Sequence, residues 1–431
     1  MNARPIVPVL VALLGTIAMG CSSNVGDALG SGAAVGGGNG DGEASGGDAG
    51  NGAGGNGANG GSTSTGTGAG GTGVAGDGGA GGASNIDSGT VATGSSGGAS
   101  PALVFSPYKD TGINMNWNTN VISTSVSGSP APFGSDITKS GATAVTLAFA
   151  TGECGTENWG GVAGDAMATT NVPLLTQAGV KYIVSVGGAA GSFTCGTDSG
   201  MATFLGRWAS ANLIGVDFDI EAGQSQDVIN ALVARIQTAH GTRPGLRFSL
   251  TLGVLAASQQ GAATAQSLGA NAVDVFNVYG DDTLEAIKTT LGFNGEASTW
   301  PSYVTVNLMT MDYGSASAGN CVVTGSTCQM GQSAIQAAYD IHDKWGVPYT
   351  NIELTPMLGG NDVSGEQFTL DDADTVAKFA IAQNLAGVHY WSYDRDLDCA
   401  AGSASATCNS MGTGYAGAYG YLKRFLADGL H

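Results

Sequence analysis

The stretch GVDFDIEAG, residues 215–223, decides how the rest of the chain is read. Only 11% of the 431 residues are Asp, Glu, Lys or Arg, yet Asp217, Asp219 and Glu221 stand here at alternate positions. Val216, Phe218 and Ile220 fill the places between. Side chains alternate faces along a strand, so the three acids share one face and the three apolar residues the other. The surrounding NLIGVDFDIEAG (212–223) is too apolar for an exposed sheet edge. A calcium loop of the EF-hand type needs Gly at the sixth and Glu at the twelfth place from Asp217. Those places hold Ala222 and Val228. Three carboxylates facing a partly dry interior repel one another and resist desolvation, so at least one should keep its proton near neutral pH. A raised acid beside an ionised one is the arrangement that glycoside acid catalysis uses.

Similar short apolar runs recur on either side: 102–108, 144–152, 181–188, 213–221, 247–253, 303–314, 352–360 and 387–396. Ala-rich, helix-compatible stretches lie between them, such as 225–241 and 330–346. Eight strands separated by helices predict a parallel (β/α)8 TIM barrel, with the acids at the C-terminal end of its fourth strand. A doubly wound sheet would want a Gly-x-Gly-x-x-Gly turn after the first strand, and none is there. One segment fits poorly. VDVFNVYGDD (273–282) also reads as a strand, which makes 273–302 an insertion near the rim.

The chain before this region differs in kind. Ile6 to Met19 form an apolar run after Arg4, too short for a comfortable membrane span and suited to a signal-peptide core over residues 1–21. IAMGC (17–21) has the form of a lipoprotein signal, with Cys21 as the lipidated residue; cleavage of an ordinary secretory signal nearby is the alternative. In residues 22–100 glycine fills 31 of 79 positions, with no Lys, Arg or aromatic side chain. Such a segment buries too little apolar surface to offset its ordering entropy and reads as a disordered Gly-rich linker, spanning on the order of 50 Å as a random coil. The first aromatic residue is Phe105, so the folded domain is placed at 101–431.

Charge and cysteines narrow the function. The formal net charge is −20 and the isoelectric point about 4.2. Nucleic acid is thereby excluded as a partner held by phosphate neutralisation, and a neutral substrate fits better. Beyond Cys21 six cysteines remain. In an exported protein an even set points to disulfides. Cys321 and Cys328 flank one short loop and Cys399 and Cys408 another, which leaves Cys154 with Cys195. No Cys or His cluster has zinc-ligand spacing, and no cofactor is implied.

The motif resembles the D-G-x-D-x-D-x-E signature of family-18 glycoside hydrolases, the chitinase family. Here it reads Ile214-Gly215-Val216-Asp217-Phe218-Asp219-Ile220-Glu221. SVGG (185–188), MTMDYG (309–314) and Trp391 in YWSYD (390–394) resemble further motifs of the family at later or earlier barrel strands. The resemblance covers most of 101–431 and implies hydrolysis of chitin or another N-acetylglucosamine-containing glycan by a monomer. Glu221 would be the general acid and base, Asp219 would orient the substrate acetamide, and Asp217 would tune Asp219. Tyr313 would reach the acetamide oxygen, Asp312 would face the acids, and Met309 and Trp391 would line the sugar site. Ser185, Gly187 and Gly188 would allow close packing beside the acids. Ile214 stands where the family has its first Asp, which implies one buried negative charge fewer and leaves Asp217 as the innermost carboxylate. Trp117, Trp159 and Tyr393 are further candidates for sugar stacking. Two other functions fit the same residues: a chitinase-like lectin of weak activity, and a hydrolase of peptidoglycan or N-glycans. The signal places the protein outside the cytoplasm, secreted or held at the envelope by its lipid, the lipid being its one tie to a membrane.

Overall fold

The computed structural model describes residues 102–221 and 223–431. The expected export segment (1–21), lipid site at Cys21 and Gly-rich linker (22–100) lie outside the described residues. Strand β1 has two pieces, Val104–Phe105 and Tyr108–Asp110. It is followed by β2 (Ala144–Ala150), β3 (Lys181–Gly187), β4 (Leu213–Ile220), β5 (Arg247–Gly253), β6 (Val304–Met309), β7 (Ile352–Thr355) and β8 (Gly387–Val388). Each neighbouring pair is parallel. The two pieces of β1 close the ring. Val104 and Phe105 pair with β8, and Tyr108 to Asp110 pair with β2. Between the pieces, Ser106 N donates to Val388 O at 3.2 Å and Pro107 O accepts from Thr146 N at 2.9 Å, so the pairing to both neighbours is continuous.

One helix follows each strand: α1 (Phe133–Ser140), α2 (Gly164–Gln177), α3 (Asp198–Trp208), α4 (Gln226–Thr242), α5 (Val278–Leu291), α6 (Met330–Trp345), α7 (Leu370–Gln383) and α8 (Gly420–Ala427). The molecule is therefore the expected (β/α)8 barrel. None of the helices among the described residues is long and apolar enough to cross a membrane. Local chemistry sets their ends. Thr369 and Asp372 form a capping box on α7, each side chain meeting the other residue's backbone N–H. Gly346 ends α6 at φ 75°, where a Cβ would lie 2.2 Å from Gly295 O, so only glycine fits.

The segment 273–302 is not an extra strand. Asn277 caps α5, its side chain accepting from Tyr279 N and Gly280 N, and a lone bridge between Val254 and Phe276 is all the pairing that precedes it. The aromatic and β-branched residues that suggest a strand belong to the β5–α5 loop and the first turn of that helix. The three disulfides form as paired from the sequence, Cys154–Cys195, Cys321–Cys328 and Cys399–Cys408.

Candidate active site

On β4 the apolar alternation holds. Val216, Phe218 and Ile220 are each 1% exposed and belong to the core between strands and helices. Asp217 and Asp219 point the other way, into the barrel. Asp217 accepts three hydroxyl hydrogen bonds: Tyr108 Oη on Oδ2 at 2.9 Å, Ser185 Oγ on Oδ2 at 2.5 Å and Thr251 Oγ1 on Oδ1 at 2.6 Å. These donors come from β1, β3 and β5, so the carboxyl is tied across the barrel. Burial nevertheless raises its pKa, the three donors working against that rise and the Glu353 charge adding to it.

Asp219 and Glu221 form the more strained pair. Asp219 is pushed well above the usual carboxylate range, first by burial, then by the Glu221 and Asp217 charges. The neighbouring Glu221 carboxyl and that of Asp219 act on each other: the pair pushes Asp219 up while Asp219 holds Glu221 down. Glu221 is also raised by burial, held back by its bonds to Asp219 and to the Ala189 backbone and pushed up again by Asp312. All three acids of the row are therefore raised, the outermost, Glu221, at the half-buried mouth of the barrel. The end of β3 makes room for this. A Cβ on Gly187 would lie 2.1 Å from Asp219 O, and one on Gly188 would meet the Phe149 ring at 2.8 Å.

Two expectations about the row change. Ile214 does not occupy a buried site beside the acids. It is the extra residue of a register shift in β4, because Leu213 pairs with Tyr182 and Gly215 with the very next residue, Ile183. Ile214 is half-buried, near the far end of the strand. Nor is Asp217 the innermost carboxylate. Glu353 of β7 lies one layer deeper, bonded to Arg247 Nη2, Ser249 Oγ and His389 Nε2. Burial alone would raise Glu353, but Arg247 and His389 outweigh it and hold it down at about 2.

The mouth has an aromatic wall. Trp391 follows β8 and is half-buried, with its ring stacked on Phe149 at 5.5 Å and 18° and beside Tyr108 at 6.1 Å. Backbone bonds from Leu358 N to Trp391 O and from Trp391 N to Pro356 O, each 2.9 Å, fix its place. Met309 ends β6 half-buried. Asp312 lies beyond the end of β6, where Val363 N donates to its Oδ1 at 2.9 Å, and its charge adds to the rise of Glu221. Tyr313 does not join it. The side chain is 1% exposed, and its hydroxyl is raised by burial and then by Glu366, whose Oε2 accepts from Tyr313 N at 3.0 Å. A ring so enclosed does not present its hydroxyl to a sugar. Asp312 takes a left-handed turn (φ 53°), which breaks the strand alternation and sends the next side chain into the core. Trp159 and Tyr393 are likewise core residues, the first packed on Trp208 and the second donating to Asp136; Trp117 is 55% exposed.

Sequence reading missed the interior polar residues: Tyr108, Thr251 and Asn307 around Asp217, and Arg247, Glu353 and His389 beneath. The signal was available. RFSLTLG and VTVNLM carry Ser249, Thr251, Thr305 and Asn307 at alternate places in apolar strands, the pattern that singled out β4. No group of three or more His, Cys, Asp or Glu among the described residues is arranged to hold a metal.

Comparison with known proteins agrees on the fold. No protein-family model matches the chain. A curated protein of Escherichia coli (strain K12) described as a probable bifunctional chitinase/lysozyme is 38% identical over 101 residues, 21% of this chain and 11% of that protein. Endochitinase 11 of Metarhizium anisopliae is 38% identical over 104 residues, 22% of this chain and 20% of that protein. The matches thus span a tenth to a fifth of these curated relatives. The crystal structure of the catalytic domain of a hyperthermophilic chitinase from Pyrococcus furiosus superposes with a TM-score of 0.53 at 21% identity, covering 77% of this chain and 96% of that domain.

Proposed function

We infer that the chain is a glycoside hydrolase of family 18, which cleaves β-1,4 bonds in chitin or chito-oligosaccharides with retention of configuration. The observation that carries this reading is the row Asp217, Asp219 and Glu221 at the end of β4, its inner member tied by three hydroxyls and its outer two raised by burial. Glu221 is the acid nearest solvent and gives its proton to the glycosidic oxygen. As in the family that the motif resembles, the sugar's own acetamide oxygen, in place of a second carboxylate, attacks the anomeric carbon. Asp219 accepts the acetamide N–H and supports the positive charge of the cyclic intermediate, a fixed-charge effect that gains strength in a dry site. Glu221, now ionised, takes a proton from water as water opens the ring. Asp217 sets the charge of Asp219, and Trp391 supplies the apolar floor under the sugar.

Peptidoglycan is the second substrate that the site would serve, since its N-acetyl groups allow the same chemistry; the E. coli relative described as a chitinase/lysozyme favours testing it. The three disulfides support an exported protein, secreted or anchored at Cys21. Hydrolysis of chitin oligomers, chitin and peptidoglycan by the purified protein, beside Glu221→Gln, tests the reading. Wild-type cleavage with retained anomeric configuration is expected, and a loss of about 10²–10⁴-fold in kcat in the variant. Binding without cleavage would make the protein a lectin, and an inverted product would remove the acetamide pathway.

A further inference from the structure

Asp217 is 2% exposed, and its charge depends on which way three hydroxyl protons point. A hydroxyl rotates, so it donates in whatever direction its acceptor side leaves free. Asn307 on β6 controls two of them. Its Nδ2 lies 2.9 Å from Tyr108 Oη and 2.9 Å from Thr251 Oγ1. Both amide hydrogens are used, and both hydroxyls accept. Each therefore has its own proton left for Asp217, on Oδ2 from Tyr108 and on Oδ1 from Thr251. The opposite amide orientation would reverse this. Tyr108 and Thr251 would then donate to Asn307, and Ser185 alone would remain for Asp217. In the structure the amide oxygen lies on the far side, where Thr355 Oγ1 on β7 donates to Asn307 Oδ1 at 2.8 Å.

We propose that Asn307 is a positioning residue of the site: its amide, held by Thr355, aims the Tyr108 and Thr251 hydroxyl protons at Asp217 and keeps that carboxyl ionised. The proton of the row then stays on Asp219 and Glu221, where the acid chemistry needs it. The chain of donors runs one way, from Thr355 through Asn307 to the two hydroxyls and on to Asp217, so every polar atom in it is satisfied. The other charges around Asp217 do not depend on Asn307. They are Asp219 on β4 itself and, one layer down, Glu353 on β7 with its partners Arg247 on β5 and His389 on β8. The kinetic consequence rests on the hydrolase reading above; the protonation consequence does not.

The test uses Asn307→Leu, Thr355→Val and Thr355→Ser in the full chain. The readouts are carbon-13 titration of the Asp217 carboxyl, assigned by its loss in Asp217→Asn, and the pH profiles of kcat and kcat/KM. Losing the amide that leaves both hydroxyl protons for Asp217 frees the two hydroxyls to pair with each other, 3.2 Å apart, and should raise the Asp217 midpoint by about one pH unit in Asn307→Leu. The shift should be smaller in Thr355→Val and absent in Thr355→Ser, which keeps the donor. The acid limb of kcat/KM should move up by the same amount, with kcat lowered and KM little changed. A wild-type Asp217 midpoint in Asn307→Leu, or equal shifts in the two Thr355 variants, overturns the proposal. Should Asn307→Leu not fold, the Thr355 pair decides. Should the wild type cleave no glycan, the hydrolase reading fails while the carbon titration still decides this one.

Discussion

The Gly187 backbone runs so close to the Asp219 carbonyl that a Cβ on Gly187 would sit 2.1 Å from that oxygen. Gly187 also has φ 98°, so two costs fall on any substitution. Gly161 separates them, since it has the same φ of 98° with nothing within 4 Å of its Cβ position. Gly161→Ala should cost about 1–2 kcal/mol from backbone conformation alone. Gly187→Ala should cost more, roughly 3 kcal/mol or above, and should lower kcat by shifting Asp219. Urea denaturation of both variants measures the difference. Equal losses would mean that the close approach constrains nothing.

The proposed mechanism lets the Asp219–Glu221 pair set the alkaline side of the pH profile. In the proposed mechanism the row carries a proton on Glu221 and activity is lost when that proton leaves. In the wild type burial and the Asp312 charge raise Glu221, and once Asp219 is itself ionised its charge opposes the loss as well. Asp219→Asn removes the nearest of those charges and leaves an amide that can donate to the Glu221 carboxylate. Both changes favour ionised Glu221, so the alkaline limb of kcat/KM should move to lower pH by about one unit, in addition to a fall in rate. An unmoved limb, measured on a chromogenic chito-oligosaccharide, would show that the two acids are not coupled.

Stability should peak on the acid side of neutrality. Burial raises Asp340, Glu366 and Asp396 to about 7 each, well above the 4 or so of an unfolded carboxyl. Between about pH 4 and 7 the folded state therefore binds more protons than the unfolded one, and stability rises as pH falls through that window. Glu353 works the other way. Held at about 2, it contributes stability above its unfolded pKa and loses it as pH falls from about 4.5 towards 2. Calorimetry should find Tm several degrees higher at pH 5 than at pH 8, with a decline below pH 4. A maximum at pH 8 would contradict the assigned shifts.

The eight strands were legible because barrel strands buried on both faces are short apolar runs with turns between them. The acids were legible because charge is scarce in this chain and the strand period is two. The polar floor of the barrel was legible only in part, as alternation in β5 and β6. Thr251 and Asn307 are uncharged, and Glu353 lies in IELT, a strand too short to show alternation. Tyr313 was misplaced for a different reason. Alternation orients side chains only while the strand lasts; β6 ends at Met309, and the left-handed Asp312 resets the direction. The 273–302 segment was misread because a side-chain cap at Asn277 outweighs the strand preference of the residues around it.

Ile214 shows what a motif position means once the backbone is known. A carboxylate at 214 would be three residues, roughly 10 Å, from Asp217 along the strand. It would also lie at the register shift, half in solvent, where a charge is screened. Ile214→Asp should therefore leave both limbs of the pH–rate profile where they are. Its cost should appear in stability instead, about 1–2 kcal/mol for exchanging a half-buried aliphatic side chain for a charged one of low strand propensity. Kinetics across pH 4–9 beside denaturant midpoints would check both parts. A shifted acid limb would place residue 214 in electrostatic contact with the row, against the pairing of Leu213 and Gly215 with consecutive residues of β3.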